Sequence, residues 1–184
     1  MIQAAEIVKL GDLHFEPFLM SETIDEAVQK IAGQINRDYN GEEVLLIGVL
    51  NGAFVFMNEL IKQLEVSLEI DFIKVSSYDG MNSSGELALA LDFKNDIKGK
   101  NVILIEDIID TGLTASRLLK MASCLRPRSL KIASLLLKPD SLKTQVQMDY
   151  VGIEIPDVFV VGYGLDYDQK GRELPMIYKL YQED

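Results

Sequence analysis

The apolar positions of this chain change period as it proceeds, and the changes mark out its elements. Residues 1–20 are weakly periodic, and an arm or short strand is expected there. From Ser21 to Tyr39 the spacing is helical. Ile24, Val28, Ile31 and Ile35 share one face, Thr23 and Glu26 fit a capping box, and Asn40-Gly41 ends the run. Val44–Leu50 is nearly all apolar, the mark of a strand buried on both faces, and Ala53–Leu64 reads as a mostly apolar helix. Ser67–Tyr78 alternates, with Leu68, Ile70 and Phe72 in phase and Val75 resuming after a break at Ile73. Asp79–Glu86 (DGMNSSGE) has no apolar anchor, so a mobile tip is expected, with Leu87–Leu91 returning as the second strand of an extended hairpin.

The second half is more regular. Val102–Ile105 is a wholly apolar run, and Ala115, Leu118, Leu119, Ala122 and Leu125 then recur at helical spacing. Ser129–Leu137 and Phe159–Gly162 are further buried strands, and Met176–Tyr181 is a last one that packs locally. No internal repeat and no low-complexity segment interrupts the pattern. Strands alternating with helices imply an α/β fold with a central parallel, doubly wound sheet of four or five strands. A single domain over residues 1–184 is expected, with its core at about 40–138. Residues 1–20 and 139–184 would form a smaller hood over the strand ends.

Composition narrows the class. The 184 residues are 48% hydrophobic and 26% charged, ordinary for a globular enzyme. The formal net charge of −11, with no basic run, argues against nucleic-acid and membrane-surface partners. No signal-peptide pattern opens the chain and no apolar run approaches a membrane span, so a cytoplasmic location is expected. The single cysteine, Cys124, rules out an internal disulfide and reads as a small apolar helix residue. The single histidine, His14, has no second His or Cys beside it and reads as structural.

The chemistry concentrates in Asn101–Ser116, NVILIEDIIDTGLTAS. Glu106, Asp107 and Asp110 arrive at the carboxyl end of the apolar run, where open α/β sheets bind ligands. Thr111, Gly112 and Thr114 follow as turn or cap residues. A Gly beside hydroxyl residues at a helix start leaves backbone N–H groups free to converge on a phosphate. Carboxylates cannot bind that phosphate themselves, but they suit sugar hydroxyls and a hard cation such as Mg²⁺. A phosphorylated sugar is therefore the expected ligand. The bland alternative is an acidic strand end whose carboxylates only cap the next helix.

Val102–Thr114 resembles the phosphoribosyl-pyrophosphate (PRPP) motif of the type I phosphoribosyltransferases: four apolar residues, two acids, two apolar residues, then Asp-Thr-Gly-x-Thr. Its form EDIIDTG is similar to the hypoxanthine-guanine branch of that family. The likeness covers most of the chain from about Val44. It implies that Glu106 and Asp107 hold the ribose, and that Asp110, Thr111, Gly112, Leu113 and Thr114 form the 5′-phosphate loop, with Asp110 as general base. It also implies that Leu50-Asn51-Gly52-Ala53 grips pyrophosphate through backbone amides, often across a cis peptide before its second residue, and that Arg172 joins it. Many members carry Lys or Arg where Asn51 stands, which removes a side-chain contribution there; a plain turn is the alternative. By the same likeness Ser77 and Tyr78 begin a flexible loop that closes over the site, and Lys138 donates to the purine 6-oxo group. Phe159 stacks on the base, Val160 bonds it through its backbone, and Asp166 helps Glu106 and Asp107 hold Mg²⁺.

The implied reaction is transfer of the 5-phosphoribosyl group from PRPP to N9 of hypoxanthine or guanine, in a homodimer or homotetramer. Phosphoribosyltransferases for xanthine, adenine or orotate are the nearest alternatives. An RNA-binding regulator on the same fold would want a basic face. A receiver domain would spread its acids over two strand ends, and a Rossmann dehydrogenase or P-loop enzyme would need a glycine pattern that does not occur.

Overall fold

A strand buried on both faces has to sit inside a sheet covered by helices, and the apolar runs are arranged that way. The computed structural model describes residues 6–75 and 96–181. Five strands, β3 (Glu43–Leu50), β4 (Ser67–Lys74), β5 (Asn101–Ile109), β6 (Ser129–Leu137) and β7 (Tyr150–Glu154), form a parallel sheet in the order β4-β3-β5-β6-β7. Helices α1 (Ser21–Asp38) and α2 (Phe54–Ile61) cover one face and α3 (Leu113–Cys124) the other. The expected doubly wound parallel sheet is the observed one.

A second sheet, antiparallel, joins the two ends of the chain. Its order is β1-β2-β9-β8, from β1 (Val8–Leu10), β2 (Leu13–Leu19), β8 (Val160–Val161) and β9 (Ile177–Leu180). Phe15, Val161 and Ile177 are fully buried in the same apolar cluster as Ile24, Val28 and Ile31 of α1 and Ile103 and Ile105 of β5. The hood is therefore fused to the main core through shared side chains.

Several expectations shift. α1 begins directly after β2, with Met20 as its N-cap and no side-chain cap, so Thr23 and Glu26 lie inside the helix and form no capping box. Extended backbone at Met20, where β2 ends, sets the start a turn earlier than the cap signal suggests. α2 stops at Ile61 instead of Leu64. In β4 the buried residues are Asp71 and Ile73, whereas Ile70 and Phe72 are 43% and 40% exposed. Parallel pairing with β3 aligns Phe72 with Gly48 and Ile73 with Val49, and it is this pairing that decides which phase faces inward. The segment after Pro139 is not hood throughout, because Tyr150–Glu154 returns to the main sheet as its edge. Ser77, Tyr78, the tip Asp79–Glu86 and Leu87–Leu91 lie outside the described residues.

Burying each of these large aliphatic side chains is worth about 1.5–3 kcal/mol. Ile103 is fully buried in β5, the strand that carries the acidic end. Ile103→Ala should lower unfolding stability by about 2–5 kcal/mol. Urea denaturation checks this, and a loss under 1 kcal/mol would contradict the packing described.

Candidate active site

The chain steps from β3 outward to β4, then crosses back to place β5 on the other side of β3. The loops leaving β3 and β5 therefore diverge, opening the crevice where open α/β sheets take ligands. Both stretches singled out in the sequence, Leu50–Ala53 and Glu106–Thr114, stand at that point.

Three segments meet there with no room for extra atoms. A methyl group on Gly52 would overlap the Asp107 carboxylate, and one on Gly164 would overlap the Gly52 carbonyl. Gly164 also has φ +99°, a conformation that side chains disfavour. The Leu50–Asn51 peptide is cis, at the position the resemblance implied. Arg172, half-buried, donates from Nη1 to the Gly164 carbonyl at 2.7 Å and pairs through Nη2 with Asp166 Oδ1 at 2.7 Å. Asp166 Oδ2 accepts the Gln169 N–H at 2.8 Å, so the carboxylate is fixed from both sides. Gly52, Asp107, Gly164, Asp166 and Arg172 thus form one continuous group, although the sequence separates them by 120 residues.

The acids are held in tension. Glu106 is buried, and burial first, then the neighbouring Asp107 charge, pushes its carboxyl well above the usual range. Asp107 is half-buried. Burial first, with the Asp166 charge adding to it, raises it to about 6, against the Ile108 N–H that Oδ1 accepts at 2.9 Å and the Arg172 guanidinium, both of which favour the ionised form. Among the described residues no group of three or more His, Cys, Asp or Glu stands close enough to enclose a metal ion. Mg²⁺ needs no such cage, since it keeps water and substrate oxygens and takes one or two carboxylates. Asp107 and Asp166 fit that use, because a dication beside them would offset both their repulsion and the cost of burying Asp107.

The loop after β5 has the geometry expected of a phosphate cradle. Gly112 sits at φ +76°, and a methyl there would press on Val146 and Leu142 at 3.0 and 3.1 Å. Gly112 is the N-cap of α3 and no side chain caps that end. The first helical hydrogen bond runs from Ser116 N–H to the Gly112 carbonyl, which leaves the N–H groups of Leu113, Thr114 and Ala115 without an intrahelical acceptor. The Leu113 N–H reaches the Thr111 hydroxyl at 3.5 Å, and Thr114 and Ala115 line a cavity of about 100 Å³ together with Glu106, Asp110, Thr111 and Gly112.

Asp110 does not cap α3. Its Oδ2 accepts a bond from Lys138 Nζ at 3.0 Å. Lys138, at the end of β6, is only 5% exposed, and a second carboxylate, Asp157, accepts from the same ammonium at 3.3 Å. Phe159 is 46% exposed, with its ring centroid 6.1 Å from both Phe15 and Tyr167. Val160 beside it is buried in β8. Asn51 is exposed. Asp157, Gly164 and the supporting rings of Phe15 and Tyr167 were not legible in the sequence. Pro156-Asp157 carries no motif, and the two rings come together only when the hood sheet pairs.

The phosphoribosyl transferase domain family matches this chain over residues 20–168. The chain is 42% identical over 160 residues to a hypoxanthine-guanine phosphoribosyltransferase of Bacillus subtilis, a match covering 86% of this chain and 89% of that one. A protein of the same name from Streptococcus pneumoniae is 44% identical over 163 residues, covering 88% and 91%. A crystal structure of a hypoxanthine-guanine phosphoribosyltransferase from Bacillus anthracis, with HEPES in its active site, superposes with a TM-score of 0.84 at 41% identity. That match covers 96% of this chain and 100% of that one. Hypoxanthine phosphoribosyltransferase of Trypanosoma cruzi matches at a TM-score of 0.84 and 36% identity, covering 95% of each.

The raised acids carry a pH signature. Between the ordinary aspartate value of 3.8 and about 6, Asp107 is protonated in the folded chain and ionised in the unfolded one. The folded state then binds more protons, so stability falls as pH rises through that window and the full penalty stands at pH 7. Asp107→Asn should therefore melt later than the parent at pH 7.5, by roughly 1–2 kcal/mol, with the gap closing toward pH 4. Thermal melts of both proteins across that range test it. A variant that is less stable at pH 7.5 would remove the electrostatic tension at this site.

Proposed function

The chain belongs to the phosphoribosyl transferase family, and from that premise we propose that it carries a 5-phosphoribosyl group from PRPP to N9 of a 6-oxopurine. Hypoxanthine and guanine are the bases favoured, inosine or guanosine monophosphate and pyrophosphate the products, and purine salvage the setting. One observation carries the reading: the loop Asp110–Thr114 at the start of α3 adjoins both the buried Glu106 of β5 and a buried lysine.

The N–H groups of Leu113, Thr114 and Ala115, with the Thr111 and Thr114 hydroxyls, bind the 5′-phosphate, and the uncapped helix start favours its charge. Glu106 and Asp107 face the ribose hydroxyls and orient the anomeric carbon. Asn51 and Gly52 offer backbone amides to pyrophosphate, and Arg172 adds a guanidinium that Gly164 and Asp166 already hold in place. Asp107 and Asp166, with Glu106 a further candidate, would hold Mg²⁺, which would supply charge neutralisation for the pyrophosphate. Phe159 gives an exposed ring for the base to stack on, and Val160 offers its backbone. Lys138 donates to the 6-oxo oxygen, whereas the 6-amino group of adenine would place a donor against it. Asp110 accepts the proton that the purine loses as the new bond forms.

The likeness to bacterial enzymes, and the absence among the described residues of any helix long and apolar enough to cross a membrane, support a cytoplasmic location. Exposed Phe54, Ile70 and Phe72 around the β4 edge support assembly as a homodimer or homotetramer.

With PRPP and Mg²⁺, hypoxanthine or guanine should be converted to nucleotide and adenine poorly, and excess chelator should stop the reaction. Equal turnover of adenine, or full activity in chelator, would overturn the assignment. Asp110→Asn should depress kcat by about 10²–10⁴-fold and leave PRPP affinity nearly intact, since asparagine keeps the shape but cannot take the proton. Steady-state kinetics beside a binding measurement decide this, and a near-parental kcat would take Asp110 out of the reaction.

A further inference from the structure

Among the described residues Lys138 is the one buried ammonium at the site, and it has two carboxylate partners on different elements. Asp110 belongs to the loop after β5, and Asp157 to the segment that enters β8. An ammonium has three protons to donate. Asp110 Oδ2 takes one at 3.0 Å and Asp157 Oδ1 another at 3.3 Å, and these two are the only acceptors of Lys138 Nζ among the described residues. One donor is left over. Phe159 follows Asp157 by two residues, so the segment that brings Asp157 to the lysine also brings the exposed ring to the same end of the sheet.

The reaction assigned above sets Asp110 two tasks, because it bonds Lys138 at rest and must turn to the purine when the proton leaves. A lysine held by Asp110 alone would follow that carboxylate or be left buried without a counter-charge, which is costly. We propose that Asp157 is a positioning residue for recognition of the 6-oxo group: it anchors the Lys138 ammonium independently of Asp110, so that the remaining donor stays aimed at the base. The inference rests on the functional reading given above. Asp157 suits the role because it remains an anion. The Ser141 hydroxyl beside it and the Lys138 ammonium both hold its carboxyl below the usual range. Its side chain is 69% exposed, so the pair adds little to folding, and an effect confined to the purine must pass through Lys138.

Binding of inosine monophosphate, measured by calorimetry on the Mg²⁺-loaded full-length protein, separates this from a structural role without requiring turnover. Asp157→Asn should weaken binding about tenfold, raise KM for hypoxanthine by a similar factor, and leave KM for PRPP and the melting temperature unchanged. Asp157→Glu should recover most of the loss, since it restores the counter-charge. In a Lys138→Met background, Asp157→Asn should cost nothing further, because the group it positions is gone. Unchanged nucleotide affinity in Asp157→Asn would overturn the proposal. So would the same tenfold loss with and without Lys138, or a rise in both KM values together. If the parent protein itself neither binds inosine monophosphate nor converts hypoxanthine, the functional reading fails; a working parent with an indifferent Asp157 removes only the anchor.

Discussion

β5 is paired along both edges and buried on both faces, and that constraint shapes the rest of the molecule. A strand so enclosed can present polar groups only where it emerges. Glu106, Asp107 and Asp110 are therefore grouped at its carboxyl end, with the other strand ends of the parallel sheet beside them. β3 on one side contributes Asn51 and Gly52, and β6 on the other contributes Lys138. The hood adds Gly164, Asp166 and Arg172 from across the crevice, and its own burial against α1 and β5 holds Gly164 against the Gly52 backbone.

The electrostatics of the site run against folding and toward binding. Two adjacent carboxyls are partly or wholly removed from water; the Asp107 charge resists the ionisation of Glu106, and the Asp166 charge that of Asp107. Arg172 relieves only part of this, because it is already committed to Asp166 and the Gly164 carbonyl. A ligand bringing sugar hydroxyls and a divalent cation would supply what the free protein lacks. Lys138 is the converse case, a buried cation given more acceptors than one bond requires. Such surplus pairing lets one acceptor leave without stranding the charge.

Much of this was legible in the chain itself. The wholly apolar run Val102–Ile105 announced a buried parallel strand, and Asp-Thr-Gly-x-Thr after it announced a tight turn and a helix start, because both signals depend on neighbours within a few residues. The phase of β4 was not legible. Leu68, Ile70 and Phe72 alternate as a core face should, yet Asp71 and Ile73 are the buried residues, since pairing with β3 sets the phase. The start of α1 at Ser21 was legible, but the capping box read at Thr23 and Glu26 was not formed, because the end of β2 sets that start in place of a cap.

The sequence by itself determined the alternation of strands and helices, the acidic strand end, the glycine that opens α3 and, by resemblance, the family. Each is encoded by residue types a few positions apart, where backbone preference and hydrophobic period act directly. Only the tertiary structure decided that Gly52 must lack a side chain because Asp107 lies against it. It alone brought Arg172 to Asp166 and Gly164 beside Gly52, and it gave Lys138 a second carboxylate from a segment 19 residues away. Those contacts join elements that no local pattern links, and they exist because the sheet order and the shared hydrophobic core close the hood onto the strand ends.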